Sequence, residues 1–191
     1  MKRWPLVAGA AALALGVASF PLGCGGKPRP DPARLETRPG LSNLGLVAEG
    51  LYRGAQPTDE GLDSLKAMDI RTVINLRHFH GHHEEKACRE RGLDYVWITL
   101  ESGDAPSDED VRRFLQIATD PKRHPLFFHC MHGQDRTGTM CACYRMAVQD
   151  WPLPEALAEM DDFGFNRLWR DLRAYVESFP ARARSVRPAR P

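Results

Sequence analysis

No apolar run in this chain is long enough to cross a membrane without interruption. The longest, Leu6 to Phe20, falls short of the ~20 residues that a spanning helix needs. There is almost no net charge, +1 over 191 residues, and no internal repeat. A composition of 42% hydrophobic and 27% charged residues excludes collagen-like, fibrous and wholly disordered chains, and suits one domain of ordinary size with terminal extras. The small net charge hides an uneven spread. Residues 1–40 carry six Lys/Arg against two Asp/Glu, and residues 181–191 carry four Arg and no acid, which leaves −7 over residues 41–180. An acidic body with thin basic ends is a poor nucleic-acid binder. An anionic substrate would need a positive field built into its own site.

The N-terminus has the form of an export signal. Lys2 and Arg3 precede the apolar core Leu6 to Phe20, and Pro21-Leu22-Gly23-Cys24 follows. A small residue before a cysteine at this point resembles the lipobox of bacterial lipoproteins, although Pro21 stands where an aliphatic residue is usual. The resemblance implies that residues 1–24 are a signal segment and that Cys24 is lipidated. Cys24 would then be the membrane link, on the periplasmic side. Gly25 in place of Asp favours the outer membrane of a Gram-negative cell by the same resemblance. Ordinary signal-peptidase cleavage and a retained anchor are the alternatives. Residues 25–40, opening Gly25-Gly26-Lys27-Pro28-Arg29-Pro30, read as a flexible tether. Residues 181–191, rich in Arg, Pro and Ala, read as a disordered basic tail.

Residues 41–180 alternate strand and helix signals. Leu44 to Arg53 reads as a strand or strand pair, and Thr72 to Leu76, Tyr95 to Ile98 and Leu126 to His129 as further strands. Leu62, Leu65 and Met68 recur at helical spacing after Pro57-Thr58-Asp59. Glu84 to Arg91 is a charged helix closed by Gly92, and Pro106-Ser107 opens another with Val111, Phe114, Leu115 and Ala118 inward. Helices follow over 137–149, 154–160 and 166–179. The pattern predicts a single α/β domain, a mostly parallel central sheet flanked by helices.

The segment His129-Cys130-Met131-His132-Gly133-Gln134-Asp135-Arg136-Thr137-Gly138 joins a strand to a helix. Such a loop turns backbone N–H groups and the helix N-terminus toward one spot, an anion site. Arg136, six residues after Cys130, suits two oxygens of one phosphate. A thiol at the base of that positive bowl is expected to ionise readily and to attack a bound phosphoryl group in line.

His-Cys-x5-Arg-Thr-Gly resembles the signature of the cysteine-dependent protein tyrosine phosphatase superfamily. The wider chain, with Leu51-Tyr52-Arg53-Gly54-Ala55-Gln56-Pro57 and Thr72-Val73-Ile74-Asn75-Leu76-Arg77, is similar to small atypical dual-specificity phosphatases of the bacterial exported type. The resemblance covers roughly residues 44–178. It implies that Cys130 is the nucleophile and forms a phosphocysteine, without metal or other cofactor. Arg136 would bind phosphate and the transition state. The amides of Met131, His132, Gly133, Gln134, Asp135 and Arg136 would complete the cradle. Thr137 would hydrogen-bond the Cys130 sulfur, and His129 would orient the loop from beneath. The family's general acid is an Asp roughly 25–35 residues before the nucleophile. Asp104, 26 residues before Cys130 and beside Gly103, is the first choice, with Glu101, Asp108 and Asp135 as alternatives. Asp108 and Asp110 also suit the first turn of a helix.

The expected substrate is a phosphorylated protein or a small phosphomonoester, hydrolysed by a monomer: phosphotyrosine, and phosphoserine or phosphothreonine if the site is shallow. Asp135-Arg136-Thr137 also occurs in phosphoinositide phosphatases of the superfamily, so an inositol-phosphate or phosphoinositide phosphatase is the first alternative. The −7 body and a loop without Lys count against the most highly charged inositol phosphates. A phospho-residue binding module without turnover is the non-enzymatic alternative. A rhodanese-type sulfur transferase is discounted on loop spacing. His78, His80, His82 and His83 read as a solvated or substrate-rim loop before a metal site, and Arg77 as a possible substrate contact or surface ion pair. Cys141 and Cys143 read as core filler. Cys88 is a helix-face cysteine, or by family resemblance a disulfide partner of Cys130. Trp151, Trp169, Phe163 and Phe165 read as core, and Tyr52-Arg53 as structural.

Overall fold

The computed structural model describes residues 33–79 and 81–188. The expected signal segment, Cys24 and the first part of the tether lie outside the described residues. Among the described residues, six strands form one sheet in the order β1-β2-β3-β6-β4-β5. They are β1 (Arg34–Arg38), β2 (Leu41–Ala48), β3 (Leu51–Ala55), β4 (Thr72–Asn75), β5 (Asp94–Trp97) and β6 (Leu126–Cys130). From β3 to β5 the neighbours run parallel, while β1, β2 and β3 pair antiparallel as a meander at one edge. The α/β domain is as the strand–helix alternation implied.

Two apolar clusters cover the two faces. Helices α1 (Asp59–Ala67) and α2 (His82–Glu90) lie on one, where Leu62, Leu65, Ala87 and Cys88 pack with Val73 and Phe127. Helices α3 (Asp108–Ala118), α4 (Asp135–Val148), α5 (Leu153–Asp162), α6 (Arg170–Ser178) and α7 (Ala183–Val186) lie on the other. Period-two alternation along β6 sends Leu126, Phe128 and Cys130 to that second cluster and Phe127 to the first. The cap of α3 was legible in the sequence: Ser107 accepts from Asp110 N at 3.1 Å, and Asp110 accepts from Ser107 N at 3.1 Å. Helix α4 is buried at every position from Thr137 to Ala147, so it is the central rod of its layer and no amphipathic stripe marks it.

A buried ion pair ties the layer together. Arg145 Nη2 and Nε donate to the two oxygens of Glu159 at 2.6 and 3.0 Å, Nη1 donates to Val47 O at 3.0 Å, and the guanidinium stacks on Trp151. Burial alone would raise the Glu159 carboxyl, but the hydrogen bonds and charge of Arg145 outweigh it and hold the group below its ordinary value. A carboxylate depressed in this way stabilises the fold fully above its unfolded pKa and loses that contribution as pH falls through its folded value. Arg145→Ala leaves the Glu159 charge buried without its partner and should destabilise the fold by about 3–5 kcal/mol, read as a fall in the urea midpoint. The double replacement Arg145→Met with Glu159→Leu should cost less than the single one, because it removes both charges.

Two boundary expectations are corrected. The tether does not extend to residue 40: residues 34–38 form β1, because their backbone finds the open edge of β2, with Arg34 opposite Leu46 and Leu35 opposite Gly45. The tail is not wholly disordered. Residues 183–186 form α7, Val186 is fully buried against the core, and Arg187 Nη2 pairs with Asp150 Oδ1 at 2.5 Å. Val186 and Ala183 on the core, with ion pairs from Arg182 to Asp108 and from Arg187 to Asp150, dock a segment whose Arg-rich composition hides them.

Candidate active site

Strand β6 delivers Cys130 to its C-terminal end, beside Ala55 of β3, and the chain passes through residues 131–134 into α4. This is the usual ligand position in a parallel sheet, where strand ends and a helix N-terminus converge. Cys130 is 2% exposed. The loop closes tightly because Gly133 has φ of +71° and lies against the backbone of β3: a Cβ there would come within 2.5 Å of the Gly54 carbonyl carbon.

The hydrogen bonds of the loop are one-sided. Met131 O accepts from Gln56 N at 3.2 Å, and Gln134 O from Gly138 N at 2.8 Å. His132 O and Gly133 O accept from Asn43 Nδ2 at 3.3 and 3.1 Å, and Gly133 O also accepts from Arg53 Nη2 at 2.8 Å. Thus every carbonyl from 131 to 134 has a donor. Among the described residues, none of the amides from Met131 to Arg136 has an internal acceptor. Six N–H groups left over at a helix N-terminus make a cradle for an anion.

Around the cradle lies an open cleft of about 240 Å³. Its walls are Arg77 and His78 after β4, Ser102 and Gly103 after β5, Met131, His132, Asp135 and Arg136 from the loop, and Trp169 at the start of α6. Arg136 Nη1 donates to Leu100 O at 3.3 Å, which ties the arginine to the segment carrying Asp104. Arg77 donates to Gln56 Oε1, and its carbonyl accepts from Trp97 Nε1. His78 Nδ1 lies 2.5 Å from Glu101 Oε1 across the mouth of the cleft.

The proposed acids separate. Asp108 Oδ1 accepts from Tyr175 OH at 2.8 Å and is occupied in joining α3 to α6. Asp135 lines the cleft, and its Oδ1 accepts from Asn166 N at 2.8 Å, ordering the turn before α6. Asp104 is exposed on the loop after β5, next to Gly103. Gly103 lies flat under Trp169, where a Cβ would come within 2.6 Å of the indole.

Beneath the cradle, on the opposite face of β6, His129 is wholly buried. Its Nδ1 is 3.1 Å from Cys130 O, and its Nε2 is 2.9 Å from Glu84 Oε1, off the line of a straight hydrogen bond. Tyr95 OH donates to Glu84 Oε2 at 3.3 Å and accepts from Asn75 Nδ2 at 2.7 Å. Burial and the neighbouring Glu84 carboxyl push the Tyr95 hydroxyl up.

Several expectations change. Thr137 does not hydrogen-bond the Cys130 sulfur in this structure: its hydroxyl is buried without a partner. A thiol is a weak acceptor, so the hydroxyl gains little by turning to it. Trp169 is not core: it is 38% exposed and walls the cleft, because it begins α6 at the rim, whereas Trp151, Phe163 and Phe165 are buried. Of the histidines, His78 lines the cleft, His82 and His83 open α2 in solvent, and His80 lies outside the described residues. Cys88 and Cys130 are both free thiols packed on opposite faces of the sheet, so the bridge between them is not formed. Burial and the nearby Glu84 push the Cys88 thiol up to about 12. Nothing in the sequence singles out Asn43, while Glu84 reads there only as the start of a charged helix and Arg53 only as structural. Their partners lie 45–90 residues away along the chain, beyond the reach of any local pattern.

A family model described as "DSP-PTPase phosphatase fused to NAD+ Kinase" matches residues 45–166. The dual specificity protein phosphatase TpbA of Pseudomonas aeruginosa is 31% identical over 137 residues, which cover 70% of this chain and 61% of that protein. The chain thus spans less than two thirds of that relative's length. The inositol diphosphatase DSP3 of Arabidopsis thaliana is 28% identical over 144 residues, covering 72% of this chain and 70% of that protein. A crystal structure of P. aeruginosa TpbA in complex with pTyr superposes with a TM-score of 0.69 at 27% identity, covering 83% of this chain and 94% of that one. With the cradle, the thiol at its base and the arginine at its rim, these matches lead to one statement: the chain belongs to the DSP-PTPase family, the dual-specificity branch of the cysteine-dependent protein tyrosine phosphatases.

Proposed function

We propose that the chain hydrolyses phosphomonoesters of proteins, phosphotyrosine foremost, through a phosphocysteine on Cys130. One observation carries the reading: six unpartnered amides surround the end of the strand that bears a single buried thiol. The cradle and Arg136 hold the three free phosphoryl oxygens. The Cys130 sulfur attacks phosphorus, and the bond to the leaving oxygen breaks as Asp104 gives that oxygen a proton. Asp104 then takes a proton from water, whose oxygen attacks phosphorus. The S–P bond breaks, and orthophosphate leaves with the thiolate restored. Support for Asp104 is its place next to Gly103, which lines the cleft, while Glu101, Asp108 and Asp135 are committed to other partners.

The rim supports an aryl substrate. Phe79, Leu168, Met131 and Trp169 are the exposed large apolar side chains among the described residues; three of them line the cleft and Leu168 adjoins Trp169. An aromatic ring carried on the phosphate would bury part of that surface. The second reading, an inositol-phosphate phosphatase, is favoured by the similarity to DSP3. The cleft lining holds two arginines and no lysine, with Asp135 among them, which suits one phosphoryl group better than several.

The test is orthophosphate release by the full chain, in reductant, from a phosphotyrosine peptide, a phosphoserine peptide and an inositol polyphosphate. The phosphotyrosine peptide should be fastest. Turnover chiefly of the inositol substrate would transfer the function to the second reading. Tight phosphopeptide binding without turnover would leave a binding module. In the same assay Asp104→Asn should cost 10²-fold or more on phosphotyrosine, on the order of a general-acid contribution, and far less on 4-nitrophenyl phosphate, whose leaving group needs little protonation. Equal losses on the two substrates would remove Asp104 from the role. We also propose that the domain works outside the cytoplasm on a lipidated Cys24. The support is the sequence of residues 1–25 alone, and mass spectrometry of the mature N-terminus tests it.

A further inference from the structure

We propose that Asn43 and Arg53 are positioning residues of the phosphate cradle, setting the direction of its peptides from behind. The inference rests on residues 131–136 being that cradle. A peptide whose N–H faces a ligand turns its C=O the opposite way, and a buried C=O needs a donor there. The donors for the two central carbonyls are side chains from the antiparallel edge of the sheet. Asn43 Nδ2 lies between His132 O and Gly133 O, and Arg53 Nη2 donates to Gly133 O. Neither side chain belongs to the signature segment.

Three features mark the pair as built for this task. Asn43 holds φ of +51°, a conformation that is uncommon outside glycine and that aims its amide at the loop. Arg53 is completely buried, with no carboxylate in ion-pair contact among the described residues, and its Nε and Nη1 are without partners. A carboxylate that feels its charge, Glu159, is already hydrogen-bonded to Arg145, and a buried cation without a direct ionic partner is expensive unless an anion arrives nearby. The face of Phe163 lies 3.9 Å from the Arg53 guanidinium carbon. Asn43 Nδ2 also reaches Phe163 O at 3.2 Å. The two side chains therefore fix the cradle to the turn after α5 as well as to β2 and β3. Without them the Gly133 peptide, at a glycine, has little to stop it from flipping.

The experiment uses the Cys130→Ser protein and inorganic orthophosphate, with affinity measured by calorimetry. Asn43→Gly keeps the left-handed backbone and removes the amide. Two lost hydrogen bonds to the loop should weaken orthophosphate binding about tenfold in folded protein. Asn43→Asp sets a carboxylate against two carbonyls and should weaken it further. Arg53→Lys keeps the charge and loses the fork, and should retain more affinity than Arg53→Met. In the active background the loss should fall on kcat as well as KM, because the amides serve the transition state. If folded Asn43→Gly binds orthophosphate within twofold of its parent, the inference is overturned, whatever Arg53 variants do to folding. If the Cys130→Ser parent itself does not bind orthophosphate, the cradle reading fails and takes this inference with it.

Discussion

Cys130→Ser is expected to abolish turnover, by a factor on the order of 10⁴–10⁶, and to leave orthophosphate binding intact. The change replaces one atom. An alcohol oxygen is a far weaker nucleophile than sulfur at neutral pH, so the attack on phosphorus is lost. The six free amides come from residues 131–136 and the rim guanidinium from Arg136, none of which the substitution touches. Ser is slightly smaller than Cys at a site that is 2% exposed, so the fold should persist. Orthophosphate release and calorimetric titration on the same preparation check both halves. Retention of full activity would refute the phosphocysteine pathway outright.

Arg136→Ala should lose both properties together. The guanidinium is the one fixed cation inside the loop, and its planar fork can meet two oxygens of the transferring group. Removing a preorganised charge of this kind costs about 10²–10³ in kcat. Two lost charge-assisted hydrogen bonds should also weaken orthophosphate binding by roughly 10²-fold or more. Arg136→Lys should recover only part of either. Lysine offers a point charge without the fork, and it loses the bond by which Nη1 holds Leu100 O. That bond joins the phosphate grip to the loop bearing Asp104, so the substitution should also increase the sensitivity of the rate to the leaving group, as weaker proton donation leaves poor leaving groups slowest. A binding constant unchanged in Arg136→Ala would show that the amides alone hold the anion.

Much of this architecture could be read from the chain because it is written locally. The nucleophile, the arginine and the glycines of the loop fall within ten consecutive residues, and their spacing is itself the geometry. Ser107 and Asp110 cap a helix three residues apart, and Val111, Phe114, Leu115 and Ala118 show its buried face. What was not legible depends on distant partners. Asn43 looks like any polar residue in a strand until His132 and Gly133 arrive from 89 and 90 positions away. Glu84 looks like one more acid in a charged helix until the fold sets it against His129. Residues 34–38 resemble a linker because β1 is defined by the edge it joins, and composition carries no record of an open edge. Trp169, among the aromatics of the last helices, reads as core from the sequence. Its position at a helix start on the cleft rim decided otherwise.

The one-sided bonding of the loop has an evolutionary consequence. The shape of the cradle is maintained by Gln56, Asn43, Arg53 and the contact between Gly54 and Gly133, none of which involves the Cys130 sulfur. A substitution at Cys130 therefore leaves the anion-binding surface in place, even in a descendant that no longer needs catalysis. In such a lineage, if the proposed reaction holds, the loss of a single sulfur atom would turn an eraser of phosphate marks into a reader of them, with the recognition surface already in place.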